Sequence, residues 1–221
     1  MNIFDILGPV MVGPSSSHTA GAVRIGYVTR LILGEKPVYA GLKLSGSFAA
    51  TGSGHGTDRA LIAGLLGMKP DDMRIPDSFE IASGEGLKFS FGNISIPDAH
   101  PNTVVIDVTG DGGRKTQVQA SSLGGGRIMI DRLDGTDVHC SGACPTLIIR
   151  NQDSPGMVSE VTSILSWKNV NIATLQLYRN KRGGSAVMVI ETDQPVEKET
   201  VSMVEHLEGI ERIIYISGEG E

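Results

Sequence analysis

Aromatic residues are scarce in this chain, 5% of its 221 residues. A core must therefore come mainly from Ile, Leu, Val, Ala and Met. Only two cysteines are present, Cys140 and Cys144. Two thiolates cannot supply the usual four ligands of a metal–sulfur cluster. With His139 they form H-C-x3-C, which reads either as a partial metal group or as small half-buried residues at a domain junction. An excess of positive charge is also lacking. The net charge is −6, and no basic patch is interleaved with aromatics, so nucleic acid is not an expected partner. No apolar run reaches the roughly 18–20 residues of a membrane span. The start Met1-Asn2-Ile3-Phe4-Asp5-Ile6-Leu7 lacks the basic beginning and long apolar stretch of a signal peptide. The expected location is the cytoplasm, with both thiols reduced.

What is abundant is glycine, 29 residues, clustered in short runs. Such runs mark tight turns or close approach of backbone to a ligand. The pattern changes near residue 145, which predicts two domains, 1–145 and 146–221. In the second, Thr146–Arg150 is a short β-branched run, a strand. Asn151-Gln152-Asp153-Ser154-Pro155-Gly156 is a turn with capping candidates and a proline. Met157–Trp167 spaces Val158, Val161, Ile164 and Leu165 as a helix. Ile172–Tyr178 alternates as a strand, Asn180–Gly184 is a hairpin turn, and Ser185–Thr192 is a further strand. Val196–Leu207 has helical spacing, and Ile210–Ser217 closes with a strand. The order β-α-β-β-α-β is the ferredoxin-like arrangement.

The first domain reads as α/β with a mixed sheet. Gly21–Leu33 and Asp58–Leu66 are expected helices. Pro37–Leu44, Ser78–Ala82, Lys88–Phe91, Thr103–Val108, Thr116–Ala120 and Arg127–Leu133 are expected strands. Pattern alone leaves their topology open.

Three polar loops in this half carry candidate chemistry. Gly13-Pro14-Ser15-Ser16-Ser17-His18-Thr19 precedes the first helix. It reads either as a serine-rich helix cap or as an anion site, where helix N–H groups and hydroxyls meet a carboxylate. The segment Ser45–Asp58 places His55 between two glycines, with Thr57 and Asp58 following. A carboxylate near an imidazole would orient it and raise its basicity. Pro97-Asp98-Ala99-His100-Pro101-Asn102-Thr103 is a proline-stiffened loop holding His100 and Asn102. The run Ser121-Ser122-Leu123-Gly124-Gly125-Gly126-Arg127 offers backbone to a ligand. His206, in the second helix of the C-terminal domain, is expected at the surface.

These motifs carry a resemblance. The β-α-β-β-α-β half, with Asp153, Pro155 and Gly156 in its first turn, resembles an ACT domain, a module that commonly binds amino acids and pairs with a second copy. G-P-S-S-S-H-T at Gly13–Thr19, S-G-S-x-A-x-T-G-x-G-H-G-T-D from Ser45 to Asp58, and H-P-N-T at His100–Thr103 together resemble the β subunit of bacterial iron–sulfur L-serine dehydratases. That resemblance implies a lyase acting in amino-acid catabolism and gluconeogenesis, converting L-serine to pyruvate and ammonia. It implies a [4Fe–4S] cluster held by a separate α subunit as Lewis acid, and no metal site in this chain. It implies His18 and His55 as catalytic candidates, and Ser15, Ser16, Ser17, Thr19, Thr57, Asp58, His100 and Asn102 as substrate contacts. Asp153, Pro155 and Gly156 become effector contacts, and the chain is expected to form a homodimer. Two other readings remain. The first domain also resembles the allosteric substrate-binding domain of some phosphoglycerate dehydrogenases, which implies a purely regulatory, serine-binding subunit. The other is a self-sufficient metalloenzyme built on His18, His55 and His100.

Overall fold

The computed structural model describes residues 11–51, 54–179 and 181–218. The N-terminal segment Met1–Leu7, Gly52 and Ser53 of the second loop, and Asn180 of the hairpin turn lie outside the described residues. The chain divides into two compact units, residues 1–135 and 136–221.

The first unit begins with a π-helical turn, Ser16–Gly21, that runs directly into helix α1, Ala22–Leu33. Helix α1 stops at Gly34, whose φ of 70° lets its N–H turn back to the Arg30 carbonyl at 3.0 Å. Strand β1 (Pro37–Leu44) follows, then a short helix α2 (Gly46–Thr51) and helix α3 (Thr57–Leu65). A 3-10 turn, Ile75–Asp77, leads into helix α4, Ser78–Glu85. The remaining strands of this unit are β2 (Lys88–Asn93), β3 (Thr103–Gly110), β4 (Lys115–Gly124) and β5 (Arg127–Leu133); β6 (Thr136–Cys140) opens the second unit. With β1 the first four form a sheet in the order β2-β1-β3-β4-β5. The β1–β2 pair is parallel, while β1–β3, β3–β4 and β4–β5 are antiparallel, so the sheet is mixed as expected.

One expectation is corrected. Ser78–Ala82 is not a strand but the start of α4. Its polar–apolar alternation over five residues mimics a strand. The decisive spacing is longer: Ile75, Ser78 and Ala82 are buried, at i, i+3 and i+7, the helical stripe. The Ser78 hydroxyl also donates to the Arg59 carbonyl at 2.8 Å, fastening α4 to α3.

The helix layer packs tightly because two glycines meet. Gly26 of α1 and Gly64 of α3 face each other, with the Gly64 position of a Cβ only 2.0 Å from the Val23 carbonyl oxygen. Ile25, Ile32, Leu61, Ile62 and Leu65 fill the space around this crossing and are fully buried or nearly so. The inward side chains of β3, β4 and β5, among them Ile106, Val118, Ile128 and Ile130, complete the core.

The second unit contains β7 (Thr146–Gln152), α5 (Met157–Trp167), β8 (Ile172–Arg179), β9 (Ser185–Thr192), α6 (Lys198–Glu205) and β10 (Ile210–Ile216). The four strands form an antiparallel sheet in the order β10-β7-β9-β8. This is the βαββαβ arrangement read from the sequence. Leu147, Ile149, Met188 and Ile190 meet Met157, Val161, Leu165 and Val204 in one cluster. Helix α5 buries Met157, Val161 and Leu165, at i, i+4 and i+8, and leaves Val158 36% exposed. His206 lies just past α6, exposed, with its ring nitrogen against the Ser202 carbonyl.

Candidate functional site

The serine-rich loop is itself helical. Ser15 has extended backbone and caps the π-helical turn, its Oγ accepting the His18 N–H at 3.1 Å. The wider π turn at this point is a common device at functional sites. Its hydroxyls are partly spoken for. Ser16 Oγ accepts the Gly125 N–H at 3.3 Å, and the Ser17 carbonyl accepts the Ser122 hydroxyl at 2.9 Å. Gly124, Gly125 and Gly126 all have left-handed backbone, so the β4–β5 turn that meets this loop needs glycine in succession. Arg24 Nη1 donates to the Gly126 carbonyl and clamps the turn from α1. Gly21 is required for closeness: a Cβ there would sit 2.0 Å from Ser122 Oγ.

His18 is half-buried and sits among groups from two loops. Its Nε2 lies 3.1 Å from Thr51 Oγ1 and 3.2 Å from Ser47 Oγ, both on α2. The Thr51 hydroxyl gives its own hydrogen to the Ser47 carbonyl at 2.9 Å. Thr51 Oγ1 therefore accepts from His18 Nε2–H, which leaves Nδ1 as the basic nitrogen, 3.5 Å from Ser15 Oγ. Phe48, fully buried, meets the His18 ring edge-on at 5.3 Å between centroids. His55 also lies beside it, its ring centroid 5.2 Å from that of His18. Gly56, with φ of 69°, turns the chain between His55 and α3.

Burial, then the neighbouring His55 imidazole, hold the His18 pKa below the ordinary 6.5, against a smaller upward pull from a hydrogen bond to the Ser47 backbone. His18 thus stays neutral to lower pH than a free imidazole. Replacing His55 by Gln removes the repulsion between two imidazolium charges. His18, followed by proton NMR in the whole chain, should then titrate at a higher pH than in the native protein. An unchanged or lower midpoint would show that the two rings do not interact.

The third loop joins the same cluster through backbone. Pro101 presents its carbonyl to the Ser47 N–H at 2.6 Å, and Gly46, at φ 55°, leaves no room for a Cβ beside it. Asn102 N–H donates to His100 Nδ1 at 3.1 Å, and the Asn102 carbonyl accepts the Ser122 N–H at 3.0 Å. Asn102 Oδ1 is buried without a hydrogen-bond partner among the described residues, as are the Thr19 and Thr57 hydroxyls.

The expected site residues are therefore brought together in part. Ser15, Ser16, Ser17, His18, His55, His100 and Asn102 belong to three segments that touch through Ser47, Pro101 and Ser122. Thr19 is buried behind Gly13, and Thr57 is fully buried at the start of α3. Asp58 does not orient an imidazole in the described contacts; its carboxylate accepts the N–H of Arg59 at 2.8 Å. Ser47, Thr51 and Ser122 were not singled out from the sequence. Only their place inside the Ser45–Asp58 and Ser121–Arg127 motifs pointed to them.

In the second unit, Gly156 at φ 94° enters α5 with no side-chain cap. The Asp153 carboxylate instead accepts the Gly183 N–H at 2.8 Å and a bond from Arg179 Nη1 at 3.2 Å. Those partners hold its pKa below the usual carboxylate range, the Gly183 amide first. Cys140 is buried and Cys144 exposed, and neither is in a disulfide. Among the described residues no three His, Cys, Asp or Glu side chains are grouped to hold a metal ion. This donor set does not fit a four-ligand iron–sulfur cluster. No helix of the described residues is long and apolar enough to cross a membrane.

Comparison with known proteins gives the family. Residues 2–88 match the family "Serine dehydratase beta chain", and residues 145–202 match the ACT domain. The L-serine dehydratase beta chain of Peptoniphilus asaccharolyticus is 39% identical over 210 residues, 95% of this chain and 93% of that protein. The probable L-serine dehydratase beta chain of Bacillus subtilis is 37% identical over 216 residues, 98% of each chain. A D-3-phosphoglycerate dehydrogenase of Bacillus subtilis is 28% identical over 144 residues, which span 65% of this chain and 27% of that protein. Near-complete coverage at this identity places the chain in a family: it is a member of the L-serine dehydratase beta chains and carries an ACT domain.

Proposed function

We propose that this chain supplies part of the serine-binding pocket of a two-chain, cytoplasmic L-serine dehydratase whose [4Fe–4S] cluster is carried by an α subunit. The observation that carries this reading is the meeting of the three loops, the first and second at His18 and the third at Ser47. An α subunit fits the beta-chain family, and two cysteines are too few for four thiolate ligands. The Ser15, Ser16 and Ser17 hydroxyls, with His100 and Asn102 on the neighbouring loop, hold the amino acid, while the buried Thr19 and Thr57, and Asp58 with its bond to the Arg59 N–H, shape the loops behind them. The π-helical turn supplies N–H groups for its carboxylate. His18 Nδ1, kept neutral by burial and by His55, exchanges a proton with the substrate, and His55 assists as a second acid–base group. Removal of the α-proton and loss of the hydroxyl as water gives aminoacrylate, which tautomerises and hydrolyses to pyruvate and ammonia. The ACT domain acts as a homodimerising sensor, with Asp153, Pro155 and Gly156 shaping its effector turn.

The match to a phosphoglycerate dehydrogenase favours one second reading, a purely regulatory serine-binding subunit. Calorimetry separates the two. On the pocket reading, the chain alone shows no tight serine binding, and turnover appears only on mixing with the cluster-bearing chain. Micromolar serine binding by this chain alone, with turnover by the partner alone, would establish the regulatory reading in its place.

A further inference from the structure

We propose that Ser122 is a positioning residue for His18, its hydroxyl a wedge that keeps the Ser16–Gly21 turn π-helical; this rests on the reading that His18 exchanges a proton with the substrate. Ser122 stands near the end of β4 and is fully buried. Its Oγ donates to the Ser17 carbonyl at 2.9 Å. A Cβ on Gly21 would lie 2.0 Å from the same oxygen and 2.9 Å from the Ser122 Cβ. The hydroxyl therefore lies against both Ser17 and Gly21, two residues four apart in the turn.

That spacing is the one an α-helix would close. In an α-helix the Gly21 N–H bonds to the Ser17 carbonyl, four residues back. A π turn reaches one residue further, so this pair is parted, and the Ser17 carbonyl keeps a lone pair for an outside donor. Ser122 is that donor. A side chain entering the ladder of helix bonds is a standard cause of local distortion. Glycine at position 21 serves the same end twice. It leaves room for the hydroxyl, and it is among the poorest α-helix formers. Ser122 is itself tied to the third loop, its backbone N–H bonded to the Asn102 carbonyl at 3.0 Å.

His18 follows Ser17 directly, inside the turn. Closing the turn to α, with α1 kept in place, winds the residues before Ala22 further round the helix axis, because α-helical bonds span fewer residues than π-helical ones. The His18 ring then leaves Thr51 and Ser47 at its Nε2, Phe48 at its edge and His55 beside it. The one hydrogen of the Ser122 hydroxyl is committed to Ser17, so it has none to give a substrate. Ser122 acts on the ring only through the backbone of the turn.

The test follows the His18 ring by proton NMR in the whole chain. In the native protein the ring should show a nuclear Overhauser contact to Phe48 and titrate below the ordinary 6.5. Ser122→Ala removes only the hydroxyl. In that variant the contact to Phe48 should be lost, and the titration should move up toward 6.5, as for an imidazole outside the cluster. Gly21→Ala should give the same two changes, because its Cβ displaces the hydroxyl and favours an α turn. In the enzyme reassembled with its cluster-bearing chain, both variants should lower kcat at least about tenfold, and more than they change KM, as misplaced reacting groups do. A native contact and a native titration in folded Ser122→Ala overturn the proposal. A displaced ring with native turnover upholds the wedge and overturns instead the reading of His18 as the proton-transfer group. Should Ser122→Ala fail to fold, Gly21→Ala carries the same readout.

Discussion

Alanine at position 18 should lower kcat of the reassembled dehydratase by at least about 100-fold, the usual scale for a lost acid–base group. The loss should fall on kcat more than on KM, because a proton-transfer group acts in the transition state. Three facts of the site set this expectation. His18 has a single basic nitrogen directed at Ser15, since Thr51 and Ser47 take Nε2–H. Burial and His55 keep that nitrogen unprotonated. The ring itself touches both Phe48 and His55. His18→Asn, which preserves a hydrogen bond but cannot take a proton in this range, should be as impaired as His18→Ala. His206→Ala, at an exposed position in the other unit, should turn over serine normally. Turnover within about threefold of native in both His18 variants would remove His18 from the chemistry, and with it the basic-nitrogen argument.

Sequence patterns exposed the two halves of this chain unequally, for physical reasons. In the ACT half each element announces itself. The run Thr146–Arg150 is rich in β-branched residues, and Met157, Val161 and Leu165 repeat at helical spacing. Each signal is local, so no tertiary information is needed. In the first half the strands could be seen, but their order could not. The sheet places β1 between β2 and β3, a parallel neighbour on one side and an antiparallel one on the other. Nothing in a single strand's sequence encodes that. Helix α2 was missed because six residues bury only Phe48, too few to show a period. Helix α4 was misread because its stripe begins in the preceding 3-10 turn, at Ile75.

The site was legible in its motifs and illegible in its joins. Gly13–Thr19, Ser45–Asp58 and His100–Thr103 stood out as polar loops and carried the family resemblance. That they meet depends on register and close approach. Ser122 reaches Ser17 only because Gly21 lacks a side chain, and Pro101 reaches Ser47 only beside Gly46. The choice between helix cap and ligand site also proved too sharp. Ser15 is a cap, and the same cap holds the backbone of His18 at the centre of the cluster.

The largest effect on stability should come from a position far simpler than the site. Gly64→Ala should destabilise the first unit by about 3 kcal/mol, the upper range for overpacking a core. A Cβ at Gly64 would lie 2.0 Å from the Val23 carbonyl oxygen, 2.5 Å from the Tyr27 nitrogen and 2.8 Å from the Gly26 Cα. All three are backbone atoms of α1, so no side chain can move aside. The helices themselves must separate, and the fully buried Ile25, Leu61 and Leu65 around the crossing lose contacts. The intrinsic helix preference of alanine opposes this by only about 1 kcal/mol. Gly26→Ala should behave alike, since its Cβ would meet the Leu61 carbonyl oxygen at 2.2 Å. Gly84 in α4 supplies the contrast. Nothing lies within 4 Å of its Cβ position, so Gly84→Ala should stabilise by up to about 1 kcal/mol. Scanning calorimetry reads the outcome: the Gly64→Ala transition should fall by roughly 10 °C. A change below about 1 kcal/mol would mean that α1 and α3 can part at little cost. The same variant should also disturb His18, because α1 continues the π-helical turn without a break. Close packing of two glycines is thus what seats the catalytic candidate, and stability and turnover should be lost together in Gly64→Ala but separately in His18→Ala.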